Sequence, residues 1–435
     1  MLPRVEAEIR VSAMPERRYR VLAIAAHPVQ YMAPIFRCMA QHPSLDLHVA
    51  YCTLRGAEAS HDPEFGAKIQ WDVPLLDGYT WTHVPNRGSG AESFFGLLNP
   101  GIWRLVRGGN FDAVLCFSGY RNATFWISYF AARRLRTAFL FGADTTTLTP
   151  LDGRMWKRRL KRVVWPLLFR LADQVIVPSS GTRDLMLSLG LPASRVTLTP
   201  YSVDNNWWQD RSSCVDRAAT RAQWGVSPSH AVILFCAKLQ PWKRPADLLR
   251  AFAKANLSNA VLVIAGEGPL RPELESEATA LGVASRIRFL GFVNQTQLPG
   301  VYTSADLMVL PSAYDAFGVV VNEAMLCGCV VAVSDRVGAG RDLVAPVCPE
   351  LIYPCGDVDA LAAILQRAQA NRQWLSDLGS AARARMQNWG PRENIAGIVE
   401  AVELGVARIG RPEGYNAVST AGSDVLSQAA RKSVE

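Results

Sequence analysis

The sequence predicts an α/β protein of two doubly wound domains facing each other across a cleft. Three observations carry that expectation. Short apolar runs of strand type alternate with longer helical patterns, the signature of βαβ units and a parallel sheet. The alternation lapses near residue 200 and restarts near 231. The chain has 435 residues, 49% of them hydrophobic and 19% charged. That is a globular composition with room for two or three domains of roughly 100–200 residues each.

The first run of elements begins with a strand at 21–26, a helix at about 31–41 and a strand at 47–52. A strand at 113–117, a helix at about 122–135 and a strand at 137–141 continue it. A strand at 174–177, a helix at 181–189 and a strand at 195–198 close it. The segment 201–229 is rich in Asn, Trp, Asp and Ser without a clear period, and reads as the joint. Strands at 231–237 and 260–265, with helices at 245–255 and 271–281, reopen the pattern. Strands at 287–290, 307–310 and 330–333 follow. The expected domains are therefore 19–205 and 206–390. Around them lie an N-terminal extension (1–18), a helix (391–410) that packs back on the first domain, and a flexible polar tail (411–435). Ligands of open α/β sheets bind beyond the carboxyl ends of the strands, so the cleft is the expected site.

Charge and cysteine usage narrow the classes. The formal net charge is +8, which suits a polyanionic ligand or an anionic membrane surface. There are nine cysteines, an odd number, and Cys52, Cys116, Cys236, Cys327 and Cys329 lie in apolar runs. They read as buried thiols in a reducing compartment, not as a disulfide framework. The first 18 residues mix Arg and Glu and lack the apolar stretch of a signal peptide. No run approaches the roughly 20 apolar residues of a membrane-spanning helix. The expected location is cytoplasmic, at most peripheral at the cytoplasmic face of a membrane. The basic residues match no nucleic-acid module, so no nucleic-acid partner is expected.

The segment Leu310-Pro-Ser-Ala-Tyr-Asp-Ala-Phe-Gly-Val-Val-Val-Asn-Glu-Ala-Met-Leu-Cys-Gly328 is the most informative. A strand ends at Leu310, a loop carries Asp315, and a helix begins near Gly318 or Val319 with Glu323 one turn in. Unpaired amides and the positive end of the helix would meet a phosphate there. Glycine at 318 would let that phosphate approach closely. Glu323 can accept hydrogen bonds from ribose hydroxyls, and Asp315 from a sugar. The plainer reading is a helix start with a capping acid and a surface glutamate. Ala237-Lys-Leu-Gln-Pro-Trp-Lys-Arg-Pro245 places Lys238 and Lys243 at a strand-to-helix turn. Two cations there would offset the charge of a departing pyrophosphate; a solvated charged turn is the alternative.

These segments resemble the donor site of retaining glycosyltransferase family 4, the glycosyl transferases group 1 with the GT-B fold. That family's pattern is a glutamate, Gly-Phe-Gly or similar, and a second glutamate eight positions after the first. Here Asp315 stands for the first glutamate, Ala316-Phe317-Gly318 for the glycine-rich piece, and Glu323 for the second. Lys238 stands where an arginine is usual, keeping the charge but losing the planar fork. Ile264-Ala-Gly-Glu-Gly-Pro269, Leu290-Gly-Phe-Val293, and residues 334–342, 172–180 and 199–204 match other family segments in order, over about 170–370. The resemblance implies two Rossmann-like halves and a catalytic set of Lys238, Lys243, Asp315 and Glu323. It implies donor contacts at Gly266, Phe292, Val293, Phe317, Gly318, Val319 and Val320.

The first domain matches less well. His27, Gln30 and Tyr31 follow the first strand, and Asp144 follows the strand at 137–141. All four sit at carboxyl ends of strands and are expected on the acceptor side. The family often has a histidine near the position of Asp144. No metal or other cofactor is expected. The one Asp-x-Asp, Asp357-Val-Asp359, reads as a helix N-cap, and the family needs no bound metal. Residues 154–170 hold seven basic and no acidic side chains, with Trp156, Leu160, Val163, Val164 and Leu167 near helical spacing. Such a segment either lies on an anionic membrane or packs its apolar face inward.

The expected function is transfer of a sugar from a nucleotide-sugar donor to a hydroxyl of a sugar or lipid-linked acceptor, with retention. Polysaccharide, lipopolysaccharide or glycolipid biosynthesis is the expected setting. The alternatives are a nucleotide-sugar epimerase or hydrolase on the same fold, and a non-catalytic nucleotide-sugar-binding protein.

Overall fold

Two runs of apolar segments build two parallel sheets in the computed structural model, which describes residues 17–62, 67–90, 93–149 and 154–410. The tail at 411–435, and all but the last two residues of the N-terminal extension, lie outside the described residues. The first half starts with β1 (Tyr19–Ala25), α1 (Met32–Gln41) and β2 (Leu45–Tyr51). Then come β3 (Ser60–Asp62), β4 (Ala67–Ile69), β5 (Thr80–His83), α2 (Gly101–Gly109) and β6 (Ala113–Cys116). It ends with α3 (Ala123–Arg134), β7 (Ala138–Gly142), α4 (Met155–Phe169), β8 (Gln174–Val177), α5 (Ser180–Ser188) and β9 (Val196–Leu198). Seven strands pair in the order β5-β2-β1-β6-β7-β8-β9, and β3 and β4 form a separate antiparallel pair.

The second half contains α6 (Asn205–Ser213), α7 (Arg217–Gln223), β10 (Ala231–Cys236), α8 (Pro245–Lys254) and β11 (Ala260–Ala265). It continues with α9 (Arg271–Ala280), β12 (Ile287–Gly291), α10 (Leu298–Ser304), β13 (Leu307–Leu310), α11 (Val320–Leu326) and β14 (Val330–Ser334). It closes with β15 (Ile352–Tyr353), α12 (Val358–Ala370), α13 (Arg372–Met386) and α14 (Pro391–Arg408). Its sheet runs β12-β11-β10-β13-β14-β15. Every residue of β10 and β11 is buried. Helices cover both faces of such a sheet, which is why these strands read as continuous apolar runs rather than alternating ones. The chain reverses direction across the sheet between β1 and β6, and again between β10 and β13. These are the switch points at which open α/β sheets bind ligands.

The joint is more ordered than its sequence suggests. Residues 201–229 carry two capped helices: Asp204 accepts from the amide of Trp207 at 3.0 Å, and Asp216 from that of Ala219 at 2.9 Å. Trp208 is fully buried in the second core. Arg221 donates to the carbonyl of Ser304 at 2.9 Å and pairs with Asp306 at 2.8 Å. Both helices therefore belong to the second domain. Helix α14 crosses back and buries Ile395, Ile398, Ala401, Val402 and Val406 against the first sheet.

Candidate active site

On the second-domain side, the turns after β10 and β11 touch backbone to backbone. Gly266 has φ +151°, and a Cβ there would lie 2.0 Å from the carbonyl oxygen of Ala237. The turn after β10 thereby holds Lys238 and Lys243 at the cleft. Lys243 Nζ meets Asp315 Oδ2 at 2.5 Å, with both side chains mostly shielded from solvent. The sequence assigned these two charges separately, across 72 positions; the structure joins them. Asp315 itself is pinned from behind, its amide donating to Arg336 at 3.2 Å and its carbonyl accepting from Gly338 at 3.1 Å.

Gly318 has φ +91°, and its absent Cβ would face Val337 and Leu310 at 3.1 and 3.2 Å. The glycine is required by its left-handed backbone and by crowding on the core side. Its backbone also lines the cleft. Phe317 is likewise a core side chain. Its ring stacks on Trp389 at 6.0 Å between centroids and meets Tyr201 edge-on at 5.6 Å.

Glu323 lies in the first turn of α11, where it is 4% exposed rather than on the surface. Its carboxylate accepts from Tyr302 Oη at 2.8 Å, and Tyr302 Oη also meets Cys236 Sγ at 3.3 Å. Burial pushes the Glu323 carboxyl up to about 7, against the opposing effect of the Tyr302 hydrogen bond.

The first domain supplies the facing wall. Tyr31 follows β1 and meets Tyr201 edge-on at 6.0 Å. Burial, with the charges of Asp144 and Asp315, pushes its hydroxyl up to about 12. Asp144 follows β7 and opens to solvent within the cleft. The surrounding protein, and then the charge of Asp315, raise its carboxyl above the ordinary value. His27, Gln30, Tyr31 and Asp144 on one side line a single cavity of about 520 Å³ with Lys238, Lys243, Gly266, Phe292, Val293, Asp315, Phe317, Gly318, Val319, Val320 and Glu323 on the other. Among the described residues no group of three His, Cys, Asp or Glu side chains could hold a metal ion. Asp357 accepts from the amide of Ala360 at 2.9 Å and caps α12.

Two family models match this chain in tandem. The "Glycosyl transferase 4-like domain" covers residues 11–202, and "Glycosyl transferases group 1" covers 216–385. The chain belongs to this glycosyltransferase family. Its first domain corresponds to the 4-like half and its second to the group 1 half. An uncharacterized glycosyltransferase of Methanocaldococcus jannaschii is 36% identical over 184 residues, 42% of this chain and 47% of that protein. The 2-deoxystreptamine N-acetyl-D-glucosaminyltransferase of Streptomyces fradiae is 32% identical over 231 residues, 53% of this chain and 45% of that enzyme. The chain thus spans about half the length of these curated relatives. Among solved structures, Anabaena HepE in complex with UDP and glucose superposes with a TM-score of 0.68 at 20% identity. That superposition covers 89% of this chain and 100% of HepE. A glycosyltransferase of Rickettsia africae gives 0.68 at 15% identity, covering 89% and 99%. These likenesses place the family member in the GT-B fold.

The cleft of this glycosyltransferase family member also contains residues that the sequence reading passed over. Trp71 meets Phe292 at 5.9 Å from the opposite wall, and Trp242, Tyr302 and Gln295 line the second-domain side. Gln295 Oε1 is buried without a hydrogen-bond partner. Trp242 adjoins Lys243 and was findable by that adjacency. Trp71 sits in a segment without periodicity and carried no local signal. Helix α4 does not pack the residues at 156, 160, 163, 164 and 167 inward. Trp156, Leu160, Val163, Val164 and Leu167 are 42–67% exposed, whereas Trp165, Leu168 and Phe169 are buried. The apolar stripe faces away from the protein.

Proposed function

We propose that this protein is a retaining glycosyltransferase that moves a sugar from a nucleotide-sugar donor to an acceptor hydroxyl. The observation that carries the reading is the convergence of Lys238, the Lys243–Asp315 pair and buried Glu323 in one cleft. Glu323 accepts hydrogen bonds from the ribose. Lys238 and Lys243 offset the charge that grows on the pyrophosphate as the sugar departs, an effect that is large in a partly desolvated site. Asp315 turns from Lys243 to the sugar hydroxyls. The acceptor oxygen bonds to the sugar C1 as the C1–O bond to the nucleoside diphosphate breaks. The bonding pair leaves with the diphosphate, and the hydroxyl proton passes to its departing oxygen on the same face. HepE structures with UDP and with UDP-glucose support a nucleotide-sugar donor.

A thermal-shift screen of nucleotide sugars identifies the donor. With that donor, Lys243→Ala should lower turnover by about 10²–10³, the scale of a lost charge-stabilising group. The unfolding midpoint should move little. Turnover near that of the parent enzyme would remove the transferase reading.

The setting we propose is the cytoplasmic face of a membrane, in polysaccharide, lipopolysaccharide or glycolipid synthesis. Among the described residues no helix is long and apolar enough to cross a bilayer. The support is the outward apolar stripe of α4, set among Lys157, Arg158, Arg159 and Arg162. An apolar stripe flanked by cations suits an anionic interface, with about 1 kcal/mol per cation near the surface. Leu160→Glu with Val163→Glu should release the protein from vesicles containing anionic phosphatidylglycerol in a co-sedimentation assay. Equal retention of the variant and the parent would exclude α4 as the contact.

A further inference from the structure

A second cavity, of about 600 Å³, lies in the first domain beyond the carboxyl ends of β1, β6, β7 and β8. His27, Tyr31, Asp144 and Tyr201 line both this cavity and the donor cleft, so the two spaces adjoin. Much of its remaining wall is apolar and comes from Ile35, Phe117, Phe141, Trp165 and Phe169. Arg121 and Lys161 bring positive charge to it, and neither lines the donor cleft. Lys161 Nζ sits 4.8 Å from the centre of the Trp165 ring.

Helix α4 is the wall that matters. Lys161, Trp165 and Phe169 are four residues apart and share the face turned to the cavity. Leu160, Val163 and Leu167 lie on the exposed face of the same helix. One helix thus presents a cation and two rings to the cavity and an apolar stripe to the outside. A small soluble sugar can stack on one ring but leaves most of the apolar wall uncovered, and a neutral lipid has no use for the cations. Hydrocarbon bearing an anionic group matches both, and the volume is that of a ligand site.

We propose that this cavity seats the acceptor, and that the acceptor is an amphiphile carrying an anionic group. The anion lies against Lys161 and Arg121, the hydrocarbon lies along the aromatic wall, and the reacting hydroxyl reaches the shared end at His27 and Asp144. The inference rests on the transferase reading and leaves the transfer step unchanged.

The test is calorimetric titration of the full chain with decyl phosphate below its micellar concentration. Decyl maltoside and inorganic phosphate are the controls, and the stabilising nucleotide sugar is titrated in parallel. Two variants separate the causes. Gly119 lines this cavity and not the donor cleft, and a Cβ there meets nothing within 4 Å, so Gly119→Trp adds bulk at the cavity from an uncrowded backbone position. Lys161→Glu reverses the charge. Decyl phosphate should bind the parent at least tenfold more tightly than either control. Each variant should lose at least tenfold of that affinity while binding the nucleotide sugar as before. No binding of decyl phosphate, equal binding of a control, or unchanged binding in both variants overturns the proposal. Loss of nucleotide-sugar binding by the parent would overturn the transferase reading instead, and the two failures are read in separate titrations.

Discussion

The two walls of the cleft are built by different means. The second-domain wall is made of short turns locked by their own backbone, with Gly266 against Ala237 and the Asp315 loop pinned between Arg336 and Gly338. The first-domain wall is made of side chains that meet only in the fold, such as Tyr31 on Tyr201, and it touches the second wall through Trp71 on Phe292. On the proposed function, a backbone-locked wall would hold charges at fixed positions for a common donor chemistry. A side-chain wall could, on the same reading, be refitted to a new acceptor without disturbing the turns beneath it.

The contrast is broken most severely at its tightest point. Gly266→Ala puts a methyl 2.0 Å from the Ala237 carbonyl, and neither backbone can retreat without moving a strand. We expect a loss on the order of 3 kcal/mol in urea unfolding, with loss of donor binding. Gly119→Ala, in the first domain just beyond the wall and with open space around it, should leave the stability within about 0.5 kcal/mol. Similar costs at the two positions would erase the distinction between the walls.

Glu323 sharpens it through pH. Its carboxyl is raised from 4.5 to about 7 by burial. The folded protein therefore holds the proton over a window in which the unfolded chain has lost it. That stabilisation is fully present below the unfolded value and is lost as pH rises through about 7. With Glu323 on the ribose as proposed, donor binding should have the opposite slope, because only the carboxylate accepts from two ribose hydroxyls. Donor affinity should rise about tenfold from pH 6 to pH 8, while the stability of the ligand-free protein declines. Glu323→Gln should flatten both profiles. A donor affinity in the parent that is constant across this range would remove Glu323 from the ribose.

The same contrast explains what the sequence disclosed. The strands and the turns at 237–245, 264–269 and 310–328 are local features, written in apolar runs and in glycine and charge at turns. The Lys243–Asp315 pair spans 72 positions and Phe317 is buried by Trp389; neither follows from neighbours in the chain. Helices α6 and α7 were missed because their cohesion comes from distant partners, Trp208 in the core and Arg221 on Asp306. For α4, helical period says which side chains share a face but not which face turns inward. Only the fold shows Trp165 inside and Leu160 outside.

The smallest expected effect lies where the walls join. Asp342 follows β14 in a wide turn and is 9% exposed. It accepts from the amide of Ser180 at 2.9 Å and from the Ser180 hydroxyl, at the start of α5 in the other domain. Next to it, Arg341 pairs with Asp184, but both side chains are more than half exposed. Both contacts bridge the domains, and burial decides their worth. Asp342→Asn keeps the shape and weakens two charge-assisted bonds, which should cost about 1–2 kcal/mol and raise the donor KM a few-fold with kcat held. Arg341→Ala removes a solvated pair and should cost no more than about 0.5 kcal/mol. If Arg341→Ala proves the costlier in paired urea titrations, the domains are held by surface charge, and the buried carboxylate of Asp342 is incidental to closing the cleft.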